Sequence, residues 1–114
     1  MKVAIVGSRN LTDVDLARYV PDEADEIVSG GAVGVDRLAA EYARARGFKL
    51  TEFLPEYEKY GRAAPIVRNK SIVDYADRVI IFWDGTSRGT LSVIQYAEKT
   101  KKRFDLVILE STKL

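Results

Sequence analysis

The most apolar run in the chain, Val79-Ile80-Ile81-Phe82-Trp83, leads directly into Asp84-Gly85-Thr86-Ser87-Arg88-Gly89-Thr90. A helical segment, Leu91 to Lys101, follows at once. A buried strand, a glycine-containing turn and a helix start leave little choice of local structure. The strand ends where the apolar run ends, and the glycines let the backbone turn tightly and approach a ligand. The first helical turn carries free N–H groups and the positive end of the helix dipole, which attract phosphate. An ordinary strand-to-helix turn favours the same residues, so this stretch alone does not define a site.

A second such unit lies upstream. Strand-like Ala24–Ser29 runs into Ser29-Gly30-Gly31-Ala32-Val33-Gly34, then a helix from Val35 to Arg46. Val35, Leu38, Ala39, Tyr42 and Ala43 form its core-facing stripe. Arg44 and Arg46 suit the negative end of its dipole, and Gly47 is a natural stop. The chain opens with a third strand, residues 2–6, ending at Gly7-Ser8-Arg9. Thr12 or Asp13 caps an expected helix over 14–20, before Pro21. Residues 48–54 alternate like an edge strand, and 55–63 read as a loop. Pro65 opens a helix through Ala76, and 104–109 form the last strand before a polar tail.

Strands alternating with helices imply βαβ units with right-handed crossovers. The expected architecture is α/β: a Rossmann-like three-layer sandwich around a five-stranded, mainly parallel sheet of order 3-2-1-4-5. One domain over residues 1–114 suffices for this length. The switch point then lies between the first and fourth strands, where Gly7-Ser8-Arg9, Ser29 to Gly34 and Asp84 to Thr90 meet.

Composition narrows the chemistry. There is no cysteine and no histidine, so thiolate chemistry, the usual neutral-pH base and the commonest zinc ligand are absent. No metal or cofactor is called for. Eighteen basic against 17 acidic residues leave a net charge of +1, with no broad footprint for duplex nucleic acid or an anionic membrane. Met1-Lys2 leads straight into a short apolar strand, and no run approaches the ~20 apolar residues of a membrane span. A cytoplasmic protein is expected.

Several side chains carry more than one reading. Arg9 suits a phosphate or carboxylate, or is a surface residue on a turn. Asp36 accepts from a ribose hydroxyl or complements the helix dipole. Arg68 shares a helix face with Ala64 and Ile72, where a charge needs a cleft or a partner; Asp77 is one candidate partner. Tyr57, Tyr60 and Trp83 stack on a base or cover apolar surface.

The ordered set Gly7-Ser8-Arg9, Ser29-Gly30-Gly31-Ala32-Val33-Gly34-Val35-Asp36, Arg68-Asn69 and Phe82 to Thr90 resembles the SLOG superfamily. That group includes LOG-type phosphoribohydrolases, DprA-type DNA-processing proteins and YpsA-like proteins. The small YspA/YpsA-related branch is the most similar. The resemblance implies a nucleotide or nucleotide-derived ligand, often bound within a homo-oligomer. It implies a site drawn from Gly7, Ser8, Arg9, Ser29, Gly30, Gly31, Gly34, Asp36, Arg68, Asn69, Asp84, Gly85, Ser87, Gly89 and Thr90. The LOG hydrolases carry a glutamate three residues after their Gly-Thr pair. Here Gly89-Thr90 is followed at that distance by Val93, on a core-type stripe with Thr90, Ile94 and Ala97. Binding of a phosphoribosyl-containing ligand is therefore the leading expectation, with no catalytic residue assigned. N-glycosidic hydrolysis through another carboxylate such as Asp36 or Asp84, DprA-like single-strand DNA binding, and a protein-interaction subunit are the alternatives.

Overall fold

In the computed structural model, which describes residues 1–110, β1 (Lys2–Gly7) sends alternate side chains to opposite faces of a sheet. Val3 and Ile5 enter one core, while Ala4 and Val6 enter the other. β4 (Arg78–Trp83) does the same, with Ile80 and Phe82 on the first face and Val79 and Ile81 on the second. Strands that are apolar on both faces need helices on both faces, which is the parallel α/β solution. β2 (Glu26–Ser29), β3 (Lys49–Glu52) and β5 (Phe104–Ile108) complete it. All neighbouring pairs are parallel and the order is β3-β2-β1-β4-β5, as the alternation of elements predicts.

Three twelve-residue helices cover the sheet. α1 (Val35–Arg46) buries Val35, Ala39 and Ala43 against Ile27, Ile80 and Phe82. The shorter α2 is Tyr57–Tyr60. α3 (Ala64–Tyr75) and α4 (Arg88–Lys99) lie on the other face and bury Ile72, Val73, Val93, Ile94 and Ala97. α1 ends where expected, on Gly47 at φ 72°, a left-handed position suited to glycine.

The expected helix over 14–20 does not form. Only a 3-10 turn, Leu16–Arg18, is present, and its N-cap Asp15 makes no side-chain capping bond. A seven-residue segment gains few hydrogen bonds against the cost of helix nucleation, and Pro21 stops its growth. The segment instead serves as a lid on the first core, into which Leu11 and Leu16 are buried. The expected loop over 55–63 contains α2 and a 3-10 turn, Gly61–Ala63, which run into α3. β2 and β3 are shorter than predicted. α4 starts at Arg88, not Leu91, because Ser87 caps it by accepting from the Thr90 N–H. Gly89 and Thr90 therefore lie inside its first turn. Of the expected polar tail, residues 111–114 lie outside the described residues.

Val93 is 1% exposed and belongs to the core shared by α3 and α4. Val93→Glu places an uncompensated charge there and is expected to cost about 3–5 kcal/mol of stability at neutral pH. Denaturant melts of the variant check this, and an unchanged midpoint would mean that the side chain escapes the core.

Candidate functional site

Gly7 pairs with Phe82 at the carboxyl ends of β1 and β4, and the Ser8 N–H donates to the Phe82 carbonyl at 3.0 Å just beyond. A Cβ on Gly7 would lie 2.6 Å from Val35 Cγ2 and 2.9 Å from the Phe82 carbonyl. Glycine is thus required for α1 to sit close against β1. Gly34, the N-cap of α1, has φ 74°, and its missing Cβ would lie 2.5 Å from the Arg9 carbonyl. The loops after β1 and β2 are therefore in backbone contact. The loops after β1 and β4 are joined by Ser8, which is 1% exposed. Its Oγ accepts from the Asp84 N–H at 3.2 Å and lies 3.4 Å from Thr90 Oγ1.

These contacts bring the three predicted loops to one end of the sheet, around an open cleft of about 720 Å3. Gly7, Arg9, Gly30, Gly31 and Asp36 line it from the first two loops. Ser87, Gly89 and Thr90 line it from the third, and Arg68 and Asn69 from α3. The volume falls within the ~300–1,000 Å3 usual for ligand clefts. Ser8, Ser29, Gly34, Asp84 and Gly85 do not line the cleft: the first three are buried, and Asp84 and Gly85 belong to the turn before α4. Ser29 is fully buried, and its Oγ donates to the Asp36 carbonyl and accepts from the Gly31 N–H. Trp83 also lies away from the cleft, donating its indole N–H to the Ser87 carbonyl at 3.0 Å. Of the tyrosines singled out, Tyr57 lines the cleft, 60% exposed.

Arg68 does face the cleft, but not as a free cation. Nη1 donates to the Gly30 carbonyl at 2.5 Å and to the Phe53 carbonyl at 3.5 Å, and Nε donates to Asn69 Oδ1 at 2.8 Å. Asp77 is not its partner. It lies beyond the end of α3 and accepts from the Lys2 N–H at 2.7 Å. Across Gly30 from Arg68 lies Asp36. A Cβ on Gly30 would meet Arg68 Nη1 and Asp36 Oδ2, each at 2.8 Å. A side chain at Gly30 would push the guanidinium and carboxylate ends aside. Asp36 is 7% exposed and accepts from the Ala32 N–H at 3.2 Å. Burial pushes its carboxyl above its ordinary value, while the Ala32 N–H and the Arg68 charge pull it the other way.

Asp84 has a different role. Its Oδ1 accepts from the Thr86 and Ser87 N–H groups at 2.9 and 2.8 Å, folding the turn that delivers α4. Those bonds hold its carboxyl down from 3.8 to about 2. Sequence reasoning missed Arg37, Arg44 and Glu52 as cleft residues. The signal was the spacing Arg37, Ala40, Arg44 along one side of α1, beside its core stripe. Among the described residues no cluster of acidic side chains could hold a metal ion, and no helix is long and apolar enough to cross a membrane.

A carboxyl whose folded value is depressed stabilises the fold above its ordinary value and stops doing so as pH falls through the folded one. Asp84 should therefore contribute to acid loss of stability between pH 3.8 and about 2. Asp84→Asn is expected to be less stable than the parent at neutral pH, with a shallower decline over that window. Parallel declines in thermal melts of the two proteins would contradict the assignment.

No curated protein and no solved structure matches the chain. Residues 1–60 match the family described as YspA, cpYpsA-related SLOG, a span that takes in β1, α1 and the first two cleft loops. With its sheet order, its paired glycine loops and this match, the chain belongs to the YspA, cpYpsA-related SLOG family.

Proposed function

We propose that the cleft binds a nucleotide or nucleotide-derived ligand through its phosphoribosyl group. The observation that carries this reading is the convergence of two glycine loops and the first turn of α4 on one cleft at the β1/β4 switch point. In open parallel sheets that position is where ligands bind. The N–H groups of Gly30 and, in the first turn of α4, of Arg88 and Gly89 receive the phosphate, supported by the α4 dipole. Arg9, exposed at the cleft mouth, neutralises it. Arg68 adds positive charge while holding the Gly30 carbonyl away from the anion. The buried Asp36 carboxylate accepts a ribose hydroxyl, and Tyr57 offers a ring face at the rim.

Binding without LOG-type hydrolysis is favoured because Val93 is sealed in the core and Asp84 is engaged in its own turn. Single-strand DNA binding is less well supported, since the net charge is only +1 and such affinity needs clustered cations along a track.

Calorimetric titration with nucleoside 5′-mono- and diphosphates tests the reading. Arg68→Ala is expected to lose about one to two decades of affinity, or ~1.5–3 kcal/mol, the range for a charge-assisted hydrogen bond. It should also melt somewhat earlier, because the Gly30 carbonyl loses its donor. Full affinity in a folded Arg68→Ala protein would remove Arg68 from the ligand site. No binding to the parent protein would overturn the proposal.

A further inference from the structure

The segment after β3 borders the cleft without belonging to the core. Residues 56–63, which include α2 and the 3-10 turn, are all exposed and bury no side chain. The chain is anchored just before them. The Phe53 N–H donates to the Ser29 carbonyl at 2.9 Å, and Arg68 Nη1 reaches the Phe53 carbonyl. Leu54 comes next. Its Cδ2 lies 2.6 Å from where a Cβ on Gly31 would be, so it sits directly against the Gly30-Gly31 loop, yet it is 63% exposed. Pro55 and Tyr57 follow on the cleft wall, Tyr57 at most ~11 Å of chain beyond Leu54.

Tyr57 differs from the other five tyrosines. Tyr19, Tyr42 and Tyr75 pack against phenylalanine rings, Tyr96 donates to Asp74, and Tyr60 faces the Lys59 ammonium. The Tyr57 side chain has no hydrogen bond, ring contact or cation partner among the described residues. Single exposed apolar side chains are ordinary. Here Leu54, Pro55 and Tyr57 lie within four residues of each other beside a glycine loop, and Val33, also exposed, lines the same cleft. A cleft that joins such an apolar border to backbone N–H groups and arginines suits a ligand with a charged end and a planar ring.

Resting on the nucleotide reading above, we infer that residues 54–57 form a nucleobase subsite, in which the Tyr57 ring stacks on the base and Leu54 and Pro55 give apolar contact beside it. The ligand class is then a nucleotide with its aromatic base, not a phosphorylated sugar alone. Stacking of this kind accepts any base, because every base has a π face.

Calorimetry with adenosine 5′-monophosphate and ribose 5-phosphate, on the parent, Tyr57→Phe and Tyr57→Ala, tests this. α2 buries no side chain and alanine favours helices, so the variants should fold. The parent is expected to bind adenosine 5′-monophosphate about five- to a hundredfold more tightly than ribose 5-phosphate, the range for one base–aromatic stack. Tyr57→Ala should remove most of that gain and leave ribose 5-phosphate affinity unchanged. Tyr57→Phe should keep it, because the ring and not the hydroxyl stacks. Equal affinity of the parent for the two ligands, or an undiminished gain in Tyr57→Ala, overturns this inference and leaves the phosphoribosyl reading standing. Failure of both ligands to bind overturns both. An undiminished gain together with a lower sedimentation coefficient in Tyr57→Ala also overturns it, and assigns the ring to a contact between copies of the chain.

Discussion

The approach of α1 to the end of β1 governs the functional end of the molecule. Gly7 has no room for a Cβ against Val35, and Gly34 has none against the Arg9 backbone. These contacts pack the two loops tightly against each other. Ser8 then couples the pair to the third loop through Asp84 and Thr90. The cleft is therefore fixed by packing behind its wall, and its surface is left for backbone N–H groups and arginines. A preformed anion site of this kind has little ordering cost when a ligand arrives.

The same arrangement explains why two aspartates in similar loops behave differently. Asp84 accepts two backbone N–H groups in a turn, so its charge is stabilised locally and its carboxyl is held low. Asp36 is buried beside Arg68 with Gly30 between them, and desolvation pushes its carboxyl up. One organises the chain, and the other faces the cleft. Position relative to the strand end, more than residue type, separates the two roles.

Much of this was legible in the sequence. Apolar runs of strand length alternating with stripes of helical period dictate a parallel sheet, and its order follows from a single switch point. The bounds of α1 could be read because its stripe begins beside Gly34 and stops at Gly47. The segment 8–20 was not legible, since the burial of Leu11 and Leu16 depends on a core assembled from distant strands. The start of α4 was misplaced because apolar periodicity begins only after the cap and first turn. Arg44 looked like a dipole-complementing residue. Its place on the cleft wall depends on how the chain after β3 passes α1, which local pattern does not encode. Arg68 was placed correctly on the cleft face, but its backbone partners lie 15 and 38 residues away and gave no local sign.

The central claim is that the glycine loops and the first turn of α4 act as one phosphate cradle. Amide chemical shifts of isotope-labelled protein titrated with adenosine 5′-monophosphate test it most directly. The account predicts that Gly30, Gly31, Gly89 and Thr90 shift together with one saturation curve, while Gly47 and Gly61 stay still. Shifts confined to one loop, or concentrated at Gly47 and Gly61, would contradict it.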